Sequence, residues 1–227
     1  GLFRNGLGDR AQARDAFDAF QAAEGHAGRA RARIGARLLT GGDAPEALPW
    51  LEAAVDKKPR WPDAAPDLAS AYHALGRADR IPGVFEAFVG AAADKGAAWA
   101  TVARWWAGTG QFDQALEAST RAMALLQTPP PALLLLHGRL LLVKGDAPDR
   151  AYPLLEEAAR TIDVAELAEV WRLVGARDGR QASCVRAAIL RRPEARIGAG
   201  PDGRRALVLP ATGAEGVFPL SLETELD

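Results

Sequence analysis

The residue types most often used for metal binding and nucleophilic catalysis are scarce in this chain. The three histidines and the single cysteine are His26, His73, His137 and Cys184, and no two of them have the short spacing of a metal-binding pair. The sequence also lacks the Gly-x-Ser-x-Gly turn of hydrolases and the Gly-Lys-Ser/Thr phosphate loop. We therefore expect no catalytic site, no metal and no cofactor.

A glycine run near the C-terminus has the spacing of a dinucleotide-binding loop but not its context. Gly198, Gly200 and Gly203 satisfy Gly-x-Gly-x-x-Gly. A dinucleotide-binding loop follows a strand and opens a helix, whereas this run follows a helical pattern and precedes strand-like residues. The run therefore predicts a turn. His137 and Cys184 lie in apolar helical segments, where we expect them to be packing residues.

The composition excludes several classes of function. The 227 residues carry a formal net charge of −1, so no strong field directs the chain to nucleic acid or to an anionic membrane. We expect a soluble protein without membrane insertion, because His137 and Arg139 interrupt the longest apolar run. A single cysteine permits no internal disulfide and does not distinguish cytoplasm from periplasm. Abundant Ala, with few Val, Ile, Tyr and Phe, favours helix over sheet. Richness in Ala, Gly and Arg is typical of a GC-rich bacterial genome.

An internal repeat organises most of the chain. Turn glycines recur at one constant spacing, except that the last copy is one residue longer: Gly8, Gly42, Gly76, Gly110 and Gly145. An apolar-periodic segment opens five or six residues after each glycine: Ala13, Ala47, Ile81, Ala115 and Ala151. A small residue precedes each glycine by seven: Gly1, Gly35, Ala69, Ala103 and Gly138. This spacing predicts paired helices that approach closely at the small residue and must stack on neighbouring pairs to bury their apolar faces.

Two near-identical phrases mark the start of second helices. "GDAPE" begins at Gly42 and "GDAPD" begins at Gly145. In the first phrase Asp43 can cap the helix, Pro45 fits its first turn, and Glu46 can reach back as in a capping box. Asp146 is expected to do the same in the second phrase. The duplication therefore predicts that these residues begin a helix and do not form a binding motif.

The pattern resembles the tetratricopeptide repeat family, most fully in "WATVARWWAGTGQFDQALEASTRA" and "ARIGARLLTGGDAPEALPWLEAAVDKKP". The resemblance implies an all-α, right-handed α-solenoid of about five helix-turn-helix units plus a capping helix pair, over residues 1–192. The units are expected near residues 1–27, 28–61, 62–95, 96–130 and 131–163, with the cap at 164–192. Gly1 falls in the middle of a first helix, so we expect the chain to be part of a longer one. Trp171 stands where a small residue belongs, as in a terminal cap.

The tail, residues 193–227, loses the helical pattern. "GAGPDG" has the composition of a turn, and the apolar segments on either side of "ATGAEG" have strand-like composition. We expect a short β-hairpin or an extended arm. Pro210 and Pro219 should confine each segment to a sheet edge, because proline cannot donate to a ladder.

In the resembled family, the first helix of each unit lines a concave surface on which peptides lie. Carried over by position, the resemblance implies that ten residues contact a partner: Arg29, Arg33, Asp63, Asp67, Ser70, His73, Thr101, Arg104, Leu135 and Arg139. Co-chaperone members clamp a C-terminal carboxylate with Lys and Asn, but those positions are Ala32 and Ala36 here, and Asp67 would repel it. Members linked to O-glycosyltransferases use an asparagine ladder, and this chain has only Asn5. A different mode of recognition is expected.

Three functions fit these observations. The first is a non-catalytic scaffold or adaptor that binds a protein or peptide whose identity the sequence does not contain. The second is the recruiting arm of a larger enzyme, for example a transferase, whose catalytic domain lies outside the chain. The third is a self-associating solenoid that forms a homo-oligomer through the tail. Trp50, Trp61 and Trp105 lie off the repeat packing positions, so each is expected to contact either a neighbouring repeat or a partner.

Overall fold

The computed structural model describes residues 26–56, 61–144 and 148–162, together with residue 19 and the segments 196–199, 205–211 and 214–219. The chain divides into two compact units, Gly1–Trp105 and Trp106–Asp227, which are described separately below. The predictions made for the first repeat, for the capping pair at 164–192 with its Trp171, and for Gly145, Asp146 and Cys184 lie outside the described residues.

The described helices alternate along the chain as the repeat predicts, and we call the odd-numbered ones first helices and the even-numbered ones second helices. Their bounds are α1 Ala27–Thr40, α2 Ala44–Asp56, α3 Ala65–Ala74, α4 Ile81–Ala91, α5 Lys95–Gly108, α6 Phe112–Leu125, α7 Pro131–Lys144 and α8 Pro148–Thr161. Short 3-10 turns at Pro62–Ala64 and Ala78–Arg80 lead into α3 and α4.

Three glycines reverse the chain between the helices of a pair, as the sequence predicts. Gly42, Gly76 and Gly110 have positive φ values of 83°, 71° and 76°, a conformation that disfavours any side chain. At each turn the next residue donates its backbone N–H to the carbonyl five residues earlier. These bonds run from Asp43 to Leu38 (3.0 Å), from Arg77 to Tyr72 (2.8 Å) and from Gln111 to Trp106 (2.9 Å). The same helix-ending motif therefore closes three successive first helices.

Aspartate carboxylates cap the N-termini of α2 and α5. Asp43 Oδ1 accepts the backbone N–H of Glu46 at 3.3 Å, which confirms the predicted cap of α2. Asp94 Oδ1 accepts the N–H of Ala97 at 2.9 Å at the start of α5. His26 caps α1 in the same manner, because its Nδ1 accepts the N–H of Arg29 at 3.2 Å.

Small residues let the helices of a pair approach closely, as predicted. A Cβ added to Gly35 of α1 would lie 2.5 Å from Leu51 Cγ of α2 and 3.3 Å from the carbonyl oxygen of Ala47. In the second unit, a Cβ added to Gly138 of α7 would lie 3.0 Å from Leu155 Cγ of α8. Leu51 and Leu155 are fully buried. The leucine of the second helix therefore occupies the space that the glycine of the first helix leaves open.

The core follows the apolar pattern of the second helices. The residue that opens each pattern is at most 1% exposed in every copy that the structure describes: Ala47, Ile81, Ala115 and Ala151. Four residues later, Leu51, Phe85 and Leu155 are also buried. Each second helix therefore buries one apolar stripe, which is the burial that makes stacking of the pairs favourable.

The tail contains three antiparallel strands in the order β1-β2-β3: Arg196–Ala199, Arg205–Ala211 and Ala214–Pro219. The hairpin of β2 and β3 pairs Ala211 with Ala214. The additional strand β1 includes Gly198 and Ala199, which the sequence pattern had placed in a turn.

The two prolines of the tail differ in their outcome. Pro219 lies in β3, an edge strand, as predicted. Pro210 lies in β2, the central strand of the three, so its placement on an edge strand was wrong. The register explains why a proline is tolerated there: β1 pairs only with Arg205–Val208, so Pro210 lies beyond the end of β1 and has a ladder partner, Glu215, on one side only.

Substituting Gly35 by Ala should destabilise the first unit by about 1–3 kcal/mol, because the new Cβ overlaps a fully buried Leu51 side chain. This loss opposes the gain in helix propensity, which alone would stabilise by about 1 kcal/mol. Gly90→Ala in α4 is the matched control: its Cβ would meet nothing within 4 Å, so only the propensity gain should remain. Urea unfolding followed by circular dichroism measures both. A Gly35→Ala protein as stable as the Gly90→Ala protein would contradict the close approach.

Candidate functional site

The first helix of the first described pair, α1, has one buried and one solvent-facing side. Its buried residues are Gly28, Ala30, Ala32, Ile34, Gly35 and Leu38. Arg29 and Arg33 are exposed and stand four residues apart, so they lie on one stripe of the opposite side. The partner-binding role that the resemblance implies for these two arginines thus falls on an accessible helix face.

The next first helix, α3, continues this surface with acidic and small polar residues. Asp63, in the 3-10 turn before α3, is exposed; Asp67 and Ser70 are half-buried and His73 is exposed. The opposite side of α3 is buried: Ala65, Leu68, Ala69, Ala71 and Tyr72. The acidic and polar residues therefore lie on a stripe that faces away from the core.

Helix α5 supplies the last part of the surface in the first unit. Arg104 is exposed and Thr101 is half-buried, while Ala98, Val102 and Ala103 are buried on the other side. Thr101 Oγ1 donates to the carbonyl of Ala97 at 3.2 Å, and it accepts a long hydrogen bond of 3.4 Å from Arg104 Nη2. We use the name A-face for the outward stripes of the three helices: Arg29, Arg33, Asp63, Asp67, Ser70, His73, Thr101 and Arg104.

Trp61 joins α1 to α3 at one end of the A-face. Its ring meets the ring of His26 edge to face, with centroids 5.3 Å apart, and the guanidinium of Arg29 lies 5.8 Å from its centroid. Trp61 is half-buried. The Trp61 ring thus contacts α1, the first helix of its own predicted unit, 28–61, and the expected contact with a neighbouring repeat or a partner stays a prediction.

Trp105 joins α3 to α5 in the same unit. Its Nε1–H donates to Ser70 Oγ at 2.8 Å, and the Ser70 hydroxyl donates to the carbonyl of Pro66 at 2.9 Å. The indole also meets the rings of Phe85 and His73 edge to face, with centroids 5.2 and 5.9 Å away. These contacts hold α3 and α5 side by side, and they fix the orientation of Ser70 and His73 on the A-face.

The acidic residues of the A-face have no counter-ion in the part of the chain that the structure describes. Neither the Asp63 nor the Asp67 carboxylate makes an ion pair or a hydrogen bond there. Partial burial removes water from the Asp67 carboxylate and raises its pKa above the ordinary value of 3.8. The carboxylate at the centre of the A-face therefore gains more from a positive charge than a fully hydrated carboxylate would.

The two predicted contact residues in the second unit differ in exposure. Arg139 of α7 is exposed. Leu135 is only 8% exposed, so little of its side chain is accessible for the partner contact that the resemblance implies. The reason is that α7 is buried on most of its circumference, with Leu133, Leu134, Leu140 and Leu141 also inside. Position in the repeat thus did not identify a solvent-facing side for this helix.

A buried polar pair lies between α6 and α7 in the second unit. Ser119 is 0% exposed and His137 is 5% exposed, and the Ser119 Oγ lies 2.8 Å from His137 Nδ1. The Ser119 hydroxyl also donates to the carbonyl of Leu116 at 3.0 Å. Because the hydroxyl has one proton, this bond leaves Nδ1–H of the imidazole as the donor to Ser119. The expectation that His137 is a packing residue is consistent with this burial.

The sequence analysis did not predict that Ser119 bonds to His137, although the sequence contains a signal for this contact. Four residues after the residue that opens each second helix, the other described copies carry Leu51, Phe85 and Leu155, whereas this copy carries Ser119. A hydroxyl at a position that is otherwise apolar and buried requires a polar partner. His137 is the buried polar residue on the adjacent first helix, so the two substitutions could have been paired.

The described residues include neither a cluster of metal ligands nor a membrane-spanning helix. Within the described ranges, no three His, Cys, Asp or Glu side chains come together as potential metal ligands. None of the helices in these ranges is long and apolar enough to cross a bilayer.

Comparison with known proteins finds matches among solved structures only. No protein-family model matches the chain, and no curated protein matches it in sequence. Among solved structures, TTC0263, a thermophilic TPR protein of Thermus thermophilus, is 22% identical, with a TM-score of 0.47, over 73% of this chain and 91% of that one. A Podosopora anserina putative kinesin light chain with TPR-like repeats is 22% identical, with a TM-score of 0.47, over 71% of this chain and 94% of that one. PilF of Pseudomonas aeruginosa is 16% identical, with a TM-score of 0.49, over 71% of this chain and 74% of that one.

The free energy of unfolding of the second unit should fall as the pH decreases below about 6.5. Burial, with a smaller contribution from the positive charge of Arg150, lowers the pKa of His137 below its ordinary value of 6.5. The folded state thus binds fewer protons than the unfolded state, so stability is intact above the unfolded pKa. It is lost as the pH falls from there to the folded pKa, by about 1.4 kcal/mol for each unit that separates them.

Urea titrations between about pH 8 and about pH 5 measure this loss. His137→Gln is the control, because an amide can still bond to Ser119 but does not titrate in this range. The acid-dependent loss should be smaller in the variant than in the wild type. Equal pH dependence in the two proteins would show that His137 does not carry the effect.

Proposed function

We propose that this chain is a non-catalytic scaffold that binds an extended segment of a protein partner on the A-face of its first unit. The observation that carries the proposal is the A-face itself. Three first helices present adjacent polar stripes to solvent, and tryptophan contacts join these helices to one another. Such a surface is positioned by the packing beneath it, so little conformational freedom is lost when a partner binds.

The chemistry of the A-face supports binding more than catalysis. The Ser70 hydroxyl donates to the Pro66 carbonyl and accepts from Trp105, so its proton is not directed at a general base. His73 contacts the edge of Trp105 and has no carboxylate partner among the described residues. A nucleophile and a base within hydrogen-bond reach, the minimum for nucleophilic catalysis, are not found together on this face.

Charge on the A-face is expected to contribute specificity and rate of association more than affinity. Exposed ion pairs stabilise by about 0.2–1 kcal/mol each, so several contacts are needed for useful binding. The half-buried Asp67 provides a partly desolvated contact of the kind that contributes more. The partner is accordingly expected to place a positively charged side chain at Asp67.

A random-peptide library displayed on phage and selected against the full chain tests this proposal. Selected peptides should lose at least about tenfold in affinity for an Asp67→Arg/Arg104→Glu variant, which corresponds to about 1.4 kcal/mol. The variant leaves net charge unchanged, because the two substitutions cancel. Fluorescence anisotropy measures the affinities, and circular dichroism establishes that the helices are retained.

The matched control reverses two charges on a second helix of the same unit. Glu86→Arg combined with Arg80→Glu also leaves net charge unchanged, and both residues are exposed on α4 and the turn before it. Peptides that bind the A-face should bind this control as well as they bind the wild type. Selected peptides that are insensitive to the A-face variant, or that lose affinity only for the control, would refute binding on the A-face.

A second candidate function is self-association through the tail, and the strand order favours it. The described sheet has β1 on one side of β2 and β3 on the other, so each outer strand has one edge without a described strand neighbour. Backbone N–H and C=O groups on such an edge can pair with a strand of another chain. A second copy of this chain would supply an equivalent edge.

Light scattering of the full chain and of a version lacking residues 196–227 tests self-association. If the sheet edges pair between copies, the full chain should have a higher molar mass than a monomer at micromolar concentration, and the shortened chain should be monomeric. A monomer in both cases, or an oligomer that persists without the sheet, would eliminate this function for the tail.

A further inference from the structure

The charge of the A-face changes sign from one first helix to the next. Helix α1 presents Arg29 and Arg33, the region of α3 presents Asp63 and Asp67, and α5 presents Arg104. The order across the three helices is therefore positive, negative, positive. This order concerns the same surface as the proposed function and rests on it.

The sign change from α1 to α3 occurs at equivalent positions of the repeat, whereas Arg104 of α5 lies three residues after Thr101, the equivalent of Asp67. Arg29 and Asp63 are separated by one full repeat, as are Arg33 and Asp67, so each pair occupies one position in successive copies. Packing keeps the buried positions of the repeat apolar, as in Ile34 and Leu68, which are both buried and also stand one repeat apart. If packing between repeats required a particular charge at one of these positions, successive copies would carry the same charge there. Packing of the repeat therefore does not dictate the charge at these positions.

Two of these charges lack a compensating partner among the described residues. The half-buried carboxylate of Asp67 makes no ion pair or hydrogen bond within the described part of the chain. Arg104 makes one long bond of 3.4 Å to the neutral Thr101 hydroxyl, and no described carboxylate pairs with it. A ligand that places a cation at Asp67 and an anion at Arg104 would satisfy both groups.

The spacing of the helices sets the spacing of these charges in a bound segment. Packed helices lie about 9 Å apart, and a chain in the extended polyproline II conformation advances about 3.1 Å for each residue, with three residues per turn. A peptide in this conformation that crosses α1, α3 and α5 therefore advances about three residues from one helix to the next. Because three residues complete one turn, side chains three residues apart lie on the same side of the peptide and would face successive helices.

We infer that the A-face recognises an extended peptide in which one basic residue stands between two acidic residues, each three positions away. The basic side chain lies over Asp67 of α3, one acidic side chain lies toward Arg33 of α1, and the other toward Arg104 of α5. Because this charge order is the same when read from either end, a peptide satisfies it in both chain directions. The charge order thus specifies the spacing and the sign of the charges in the bound segment, but not the direction in which its chain runs.

Three fluorescein-labelled, terminally blocked peptides with Ser and Thr at the x positions test the inference. The matched peptide is Glu-x-x-Lys-x-x-Glu, the scrambled peptide Lys-x-x-Glu-x-x-Glu has the same composition, and a neutral peptide carries Gln at the three positions. The full chain should bind the matched peptide about tenfold more tightly than the scrambled one. This preference should shrink as ionic strength rises from about 0.05 to about 0.5 M, because salt screens exposed charges.

A charge exchange tests the central contact. Asp67→Arg should lower affinity for the matched peptide about tenfold and raise affinity for Glu-x-x-Glu-x-x-Glu by a similar factor. Glu86→Arg makes the same change of charge on α4 and should alter neither affinity. Circular dichroism of both variants checks that the helices are intact, so that a loss of fold is not taken for a loss of binding.

The outcomes separate this inference from the proposed function. Equal affinity for the matched and scrambled peptides, or equal effects of Asp67→Arg and Glu86→Arg, would overturn the charge order. If library-selected peptides still depend on the A-face in that case, the proposed function stands and only the charge order is wrong. If selected peptides are independent of the A-face, both are wrong.

Discussion

The described architecture depends on how closely the two helices of a pair approach each other. In α1 and α2, and again in α7 and α8, a glycine on the first helix faces a fully buried leucine on the second. The leucine occupies the volume of the missing side chain, which gives dense packing without a polar contact. A positive-φ glycine then ends the first helix seven residues later in the α1–α2 pair, so the packing site and the turn stand at a constant separation.

This arrangement separates the residues that hold the fold from those available for recognition. The buried stripes of α1, α3 and α5 carry small and apolar side chains, whereas their outward stripes carry both signs of charge. Tryptophans connect the two sets of residues: Trp61 contacts His26 and Arg29, and Trp105 binds Ser70 through its indole N–H. The outward stripes thus vary in charge while the contacts below keep neighbouring helices together.

The sequence predicted those features that depend on one residue and its near neighbours. The turn at Gly42, the cap by Asp43 and the close approach at Gly35 follow from backbone conformation, local hydrogen bonding and side-chain size. Features that depend on distant residues were not predicted. The Ser70–Trp105 bond joins positions 35 apart, and the exposure of Leu135 depends on what surrounds an almost uniformly apolar helix. Pro210 was misplaced because strand order in a sheet is not a local property.

The hydrogen bond between Ser119 and His137 has a consequence for how similar repeats find their correct neighbours. At the repeat position of His137 the preceding copies carry Ile34, Leu68 and Val102, all buried, so apolar interfaces between copies are chemically alike. A slipped assembly that placed His137 against an apolar residue would bury an unsatisfied imidazole, at a cost of about 1–3 kcal/mol. The polar pair therefore makes one junction distinguishable during folding from a series of otherwise chemically similar junctions.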